Sequence, residues 1–147
     1  MSFDGVHNMK GVLALTPAAL TSFGAGAAID TAGFEALTFF IPVGAFATFT
    51  GTDKLTVKVQ ESDTTTNGDF TDIAAGDYLG SYKGGTSGWD KIMDGADDDD
   101  ACFAIGVRMN TKRYKRLYFT EGGTVNVPIG AVAVLSHPRH APIGDTH

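Results

Sequence analysis

A single cysteine, Cys102, excludes an intrachain disulfide. It opens an apolar strand candidate, where a thiol is expected to be a small buried hydrophobe. No pattern places a base beside it for nucleophilic or redox work. Charge is also sparse: Asp, Glu, Lys and Arg make up 19% of the chain, and the net charge is -6. The chain therefore lacks the global basic field that draws proteins to nucleic acid or anionic membranes. No apolar run approaches the roughly 20 residues of a membrane span. Met1 to Lys10 lacks a basic start followed by a long apolar run, so no secretory signal is expected there. No asparagine opens an Asn-x-Ser/Thr site. Synthesis in a cytoplasm, followed by solubility or assembly there, is the expectation.

Catalytic and cofactor motifs are missing too. The chain has no Gly-x-Ser-x-Gly, no Walker loop, no His-Glu-x-x-His and no Cys-x-x-Cys. Gly84 to Gly88 is glycine-rich but lacks the lysine and following helix that cradle phosphate, so it reads as a flexible loop. Of the four histidines, His137 and His140 lack the spacing of a helical ligand pair, and Pro138 argues against a helix between them. No enzyme, cofactor or metal is expected.

What is present is glycine, 19 residues of it, and 43% aliphatic, aromatic and cysteine residues in short runs. A chain of 147 residues suits one domain. At that size it buries roughly 70% of its unfolded surface and needs no staple. The cleanest strand is Lys54 to Glu61: Leu55, Val57 and Val59 face one way, and Lys54, Thr56, Lys58 and Gln60 the other. In Glu35 to Val43, Leu37, Phe39, Ile41 and Val43 alternate with a second face that is partly apolar itself, and Pro42 places that part of the strand at an edge or end. Gly11 to Thr16 is a short strand closed by Pro17, and Ala18 to Ala28 a loop or brief helix. Asn67-Gly68 suits a positive-φ turn. Phe103, Ile105, Val107 and Met109 alternate, and with Tyr114 to Thr120 they are expected to form an antiparallel hairpin. Ala131 to Leu135 is the last strand. Roughly seven to nine short strands without a helix predict an all-β, single-domain antiparallel β-sandwich or jelly roll over residues 11–136, with an N-terminal arm (1–10), a long loop (about 80–100) and a C-terminal tail (137–147).

Charge is concentrated at one end of this pattern. Arg108, Lys112, Arg113, Lys115 and Arg116 are five of the eleven basic residues, set around the expected hairpin tip. Asp94 and Asp97, Asp98, Asp99 and Asp100 are five of the seventeen acids, just upstream. Contiguous acids on an extended chain point in different directions and lack the spacing of a calcium loop, so a solvated acidic loop or an acidic patch meeting a basic partner fits them better than a hard-cation site. The basic run reads as a solvated tip paired with the acids, as a protein interface, or as a nucleic-acid contact. The net negative chain weakens the last of these. Charge reversal at Arg113 and Lys115 together is expected to spare the fold. Trp89 either anchors a contact or pins the long loop to its own domain.

The order of segments resembles a known group. Ile29 to Phe39, Leu55 to Asp63 (Leu-Thr-Val-Lys-Val-Gln-Glu-Ser-Asp), Phe70 to Ile73, Phe103 to Arg108, Arg113 to Tyr118 and Gly130 to Leu135 resemble small structural proteins encoded in the head-morphogenesis regions of tailed bacteriophages. These look like capsid decoration, or cement, proteins with a jelly-roll or β-sandwich fold. The resemblance spans about residues 10–136 and omits the N-terminal arm and the long loop. It implies a non-enzymatic homo-oligomer, dimer or trimer, that binds the major capsid protein on the virion exterior and bridges capsomers. Two alternatives stand beside it: a tail or neck structural protein, and a carbohydrate-binding sandwich using Trp89, Tyr82 and Tyr78.

Overall fold

The computed structural model describes residues 7–47, 52–79, 91–93, 100–109 and 111–139. Ten strands follow in order among these: β1 (Met9–Leu20), β2 (Ile29–Asp30), β3 (Phe34–Val43), β4 (Lys54–Ser62), β5 (Thr71–Asp72), β6 (Tyr78–Leu79), β7 (Lys91–Met93), β8 (Ala101–Val107), β9 (Tyr114–Gly122) and β10 (Val127–Pro138). The first sheet runs β1-β10-β3-β8-β6, and the second β2-β9-β4-β5 with β7 also on β4. Every pairing is antiparallel. First strand lies by last, and the chain repeatedly changes sheet, which is the path of a jelly roll. The expected all-β sandwich is the fold.

Alternation builds the core as the sequence pattern requires. Leu37, Phe39, Ile41 and Val43 from β3 meet Leu55, Val57 and Val59 from β4, and all are buried. Ile105 and Val107 of β8, Leu117 and Phe119 of β9, and Ala131, Ala133 and Leu135 of β10 complete it. Each fully buried Val or Leu contributes about 1.5–3 kcal/mol. Pro42 sits one residue from the end of β3, where its missing donor costs least.

Several expectations fail for identifiable reasons. β8 and β9 do not pair as a hairpin: β8 lies between β3 and β6 in the first sheet, and β9 between β2 and β4 in the second. The chain leaves the first sheet at Val107 and enters the second at Tyr114. Pro17 does not close β1. The strand continues to Leu20 through register shifts between Leu13 and Leu15 and between Leu15 and Ala18. On an edge strand with bulges, a residue without an N–H is tolerated. β10 likewise runs unbroken through Pro128 and Gly130 to Pro138. The first sheet therefore takes in Met9 and Lys10 of the expected arm, and His137 and Pro138 of the expected tail. Asn67-Gly68 forms a right-handed 3-10 turn, closed by the Asp69 N–H on the Thr66 carbonyl at 3.1 Å. Cys102 is exposed, because it shares its face with Ala104 and Gly106 and not with Ile105.

Two glycines are required by close approach. Gly26 donates to the Leu117 carbonyl while Ala27 donates to the Ala14 carbonyl, each at 2.8 Å, stitching the two sheets along one side. A Cβ at position 26 would lie 2.6 Å from the Ala14 oxygen. Gly123 holds φ at +78°, and a Cβ there would lie 2.0 Å from Asp53 Oδ1, which accepts the Thr124 N–H.

Candidate interaction surfaces

The basic residues that the sequence groups together are separated by the fold. Lys115 shares strand parity with Leu117 and Phe119, so its side chain enters the end of the sandwich and is fully buried. It donates to Glu61 Oε2 and to the Thr111 hydroxyl, and Thr111 also donates to Glu61. Burial pushes the Glu61 pKa upward, but the bonds from Lys115, Thr111 and the Lys112 N–H outweigh it and hold the carboxyl below its usual range. Lys115 is therefore a structural clamp on the crossing segment. Reversing its charge would set two carboxylates together, so the double variant at Arg113 and Lys115 should destabilise the fold instead of sparing it.

Arg116 points out of the second sheet but is equally occupied. Its Nε and Nη2 donate to Gln60 Oε1 at 3.0 and 2.8 Å, and Nη1 donates to Asn67. The guanidinium lies 4.0 Å from the Phe70 ring centroid and covers that ring. Burial lowers its pKa, although a guanidinium stays charged at neutral pH. Arg113 is exposed and makes a two-pronged pair with Asp30 at 2.9 and 2.8 Å. This pair holds the Asp30 carboxyl below its ordinary value. The basic run thus pairs with Asp30, Glu61 and Gln60, and these bonds do not involve the upstream acids. Lys112 is half-buried, and Arg108 and Asp100 are exposed. Asp94, Asp97, Asp98, Asp99, Trp89, Tyr82 and the Gly84–Gly88 loop lie outside the described residues. Tyr78 is half-buried and its hydroxyl accepts the Val59 N–H at 2.9 Å, an edge contact between the two sheets.

The two broad faces of the sandwich differ in chemistry. The outer face of the second sheet is polar. Lys58 pairs with Asp72 at 2.7 Å, Gln60 donates to the same carboxylate at 2.9 Å, and Lys58 and Arg116 flank Tyr118. Burial raises the Asp72 pKa, and the Lys58 and Gln60 bonds lower it by more.

The outer face of the first sheet is apolar. Leu13, Val132 and Phe40 are register partners on β1, β10 and β3, and Ala104 on β8 extends the row. Leu13 is 49% exposed, Phe40 40% and Val132 36%. The next row holds Gly11, Val134, Thr38, Gly106 and Leu79, the last 49% exposed. On the other side lie Pro42 beside Cys102, and Pro128 beside Ala19. These rows contain no Asp, Glu, Lys or Arg. Troughs flank the central row: one against Ala36, Thr38, Leu79 and Gly106, the other against Pro17, Pro42, Pro128 and Gly130. Sequence reasoning passed over this surface, although the signal was present in Phe40 and Pro42 and in the unalternating apolar run of β10.

Among the described residues, no group of three or more His, Cys, Asp or Glu is placed to hold a metal ion. No described helix is long and apolar enough to cross a membrane. No family model matches the chain, and no curated protein matches it.

Proposed function

We propose that this chain is a non-enzymatic structural protein of a tailed bacteriophage, one that binds the outer surface of the capsid and stabilises it by bridging capsomers. The observation that carries the reading is the pairing of two chemically opposite faces on one rigid jelly roll. A bridging protein needs more than one adhesive surface, held at fixed geometry. An apolar face free of charge, suited to contact between copies, and a polar face with Lys58, Arg116 and Tyr118, suited to the shell, supply two. The segment resemblance to decoration proteins supports the same reading, although a jelly roll alone implies no function. Such a protein stabilises the expanded shell by mass action, because it binds that state and not the dissociated subunits.

The experiment is pelleting of purified protein with undecorated expanded heads, and separately with tails. Saturable co-sedimentation with heads, and greater resistance of the decorated heads to heat or chelator, is the expected result. Co-sedimentation with tails alone would move the protein to the tail or neck. Binding to neither would overturn the reading.

A further inference from the structure

We propose that the outer face of the first sheet is the contact between two copies of this chain, packed face to face about a two-fold axis. The argument begins with β10. From Val127 to Leu135 it carries no polar side chain, which is the pattern of a strand covered on both faces. Its inward residues are covered by the core, whereas Val132 remains 36% exposed. Leu13 and Phe40, its register partners on either side, are more exposed still. The sequence of this strand therefore specifies a third layer that the described residues of one copy do not supply.

A second copy fits that layer by shape and charge. A raised row, Leu13–Val132–Phe40, lies between two troughs, and such a surface is self-complementary because a two-fold can seat each row against a partner's trough. The chain carries a net charge of -6, so most of its surface repels a second copy. The rows of this face carry no Asp, Glu, Lys or Arg, and the trough beside Leu79 is lined by one residue of each sign, Glu35 and Arg108. With strands about 4.8 Å apart and about 3.3 Å per residue, four strands of about seven residues each present about 450 Å² per copy. A pair would bury about 900 Å², just under the roughly 1,000 Å² that a stable interface clears, so the dimer is a weak one, of micromolar affinity or below. The inference does not rest on the capsid reading, because it concerns the isolated chain.

The test is sedimentation equilibrium of the full chain from about 1 to 500 µM, a range that brackets that strength. The expected mass rises from 15.4 kDa toward twice that value. Phe40→Lys and Val132→Lys should each weaken association about a hundredfold or more, because each buries an unpaired ammonium in the contact. Thr120→Lys, on the opposite face, should leave it unchanged. Far-ultraviolet circular dichroism shows whether each variant is folded. As a measurement that needs no substitution, a spin label on the single Cys102, at the margin of this face, should report one defined distance between copies. A chain that stays monomeric across the range overturns the proposal. In that case a fall in melting temperature for Phe40→Lys assigns the face to a segment of the same chain, and no fall assigns it to a different protein. A dimer that survives both lysine substitutions overturns it equally.

Discussion

Lys115 donates a hydrogen bond to the carboxylate of Glu61 across the β4–β9 pair, and the lysine side chain is wholly excluded from solvent. Removing one partner of such a pair leaves a charge without compensation. Lys115→Ala should therefore cost about 3 kcal/mol, the low end of the usual range because Glu61 still reaches some water. Lys115→Met combined with Glu61→Leu should recover most of that loss, since an apolar pair of similar volume avoids desolvation altogether. Urea unfolding of the three proteins checks both statements.

Acid should destabilise the protein mainly through Glu61; Asp30 and Asp72 are exposed, and water screens their pairs. Asp30, Glu61 and Asp72 all have folded-state pKa values below their ordinary ones. A group of that kind adds stability above its unfolded pKa, near 4, and the contribution fades as pH falls through the lower folded value. The melting temperature should be flat from pH 7 to about 5 and fall steeply below about 4. Glu61→Gln should flatten that acid limb. A limb of unchanged steepness in Glu61→Gln would show that the Lys115 pair does not contribute to it.

Arg116 and Arg113 should behave differently despite adjacent places in the basic run. Arg116→Ala uncovers Phe70 and strands Gln60, and should cost about 2 kcal/mol. Arg113→Ala loses an exposed pair and should leave the unfolding midpoint within error. The same midpoint change in both would contradict the placement of Arg116 over Phe70.

The core and one turn give the sharpest stability test. Val57→Asp puts an unpaired carboxylate among Phe39, Val59 and their neighbours and should abolish cooperative unfolding, because the penalty approaches the whole stability of a small domain. Gly123→Ala should cost more than about 1 kcal/mol, since it meets both positive φ and Asp53 Oδ1. Thermal melts report both.

The fold was largely legible because alternation fixes which side chains face inward. Leu55, Val57 and Val59, and Leu37, Phe39, Ile41 and Val43, lie where period two puts them. Partner choice was not legible, because β8 and β9 look like neighbours in sequence yet pair with β3 and β4, which lie far from them along the chain. The site misled through clustering. Lys115 stands two residues before Leu117 and four before Phe119, and Glu61 follows Val57 and Val59 at the same interval, so parity already turned both charges inward. Counting basic residues along the chain hid that parity. The apolar outer face was hidden for the opposite reason: hydrophobic runs suggest core, and only the strand order shows that the second face of β1, β3 and β10 has no layer above it among the described residues.

The most direct measurement is a cryo-electron microscopy reconstruction of expanded heads incubated with the purified protein. Added density of two-layer sandwich shape on the outer surface, at positions that join neighbouring capsomers, is the predicted result. Heads that remain bare at saturating protein would contradict a role in decorating the capsid.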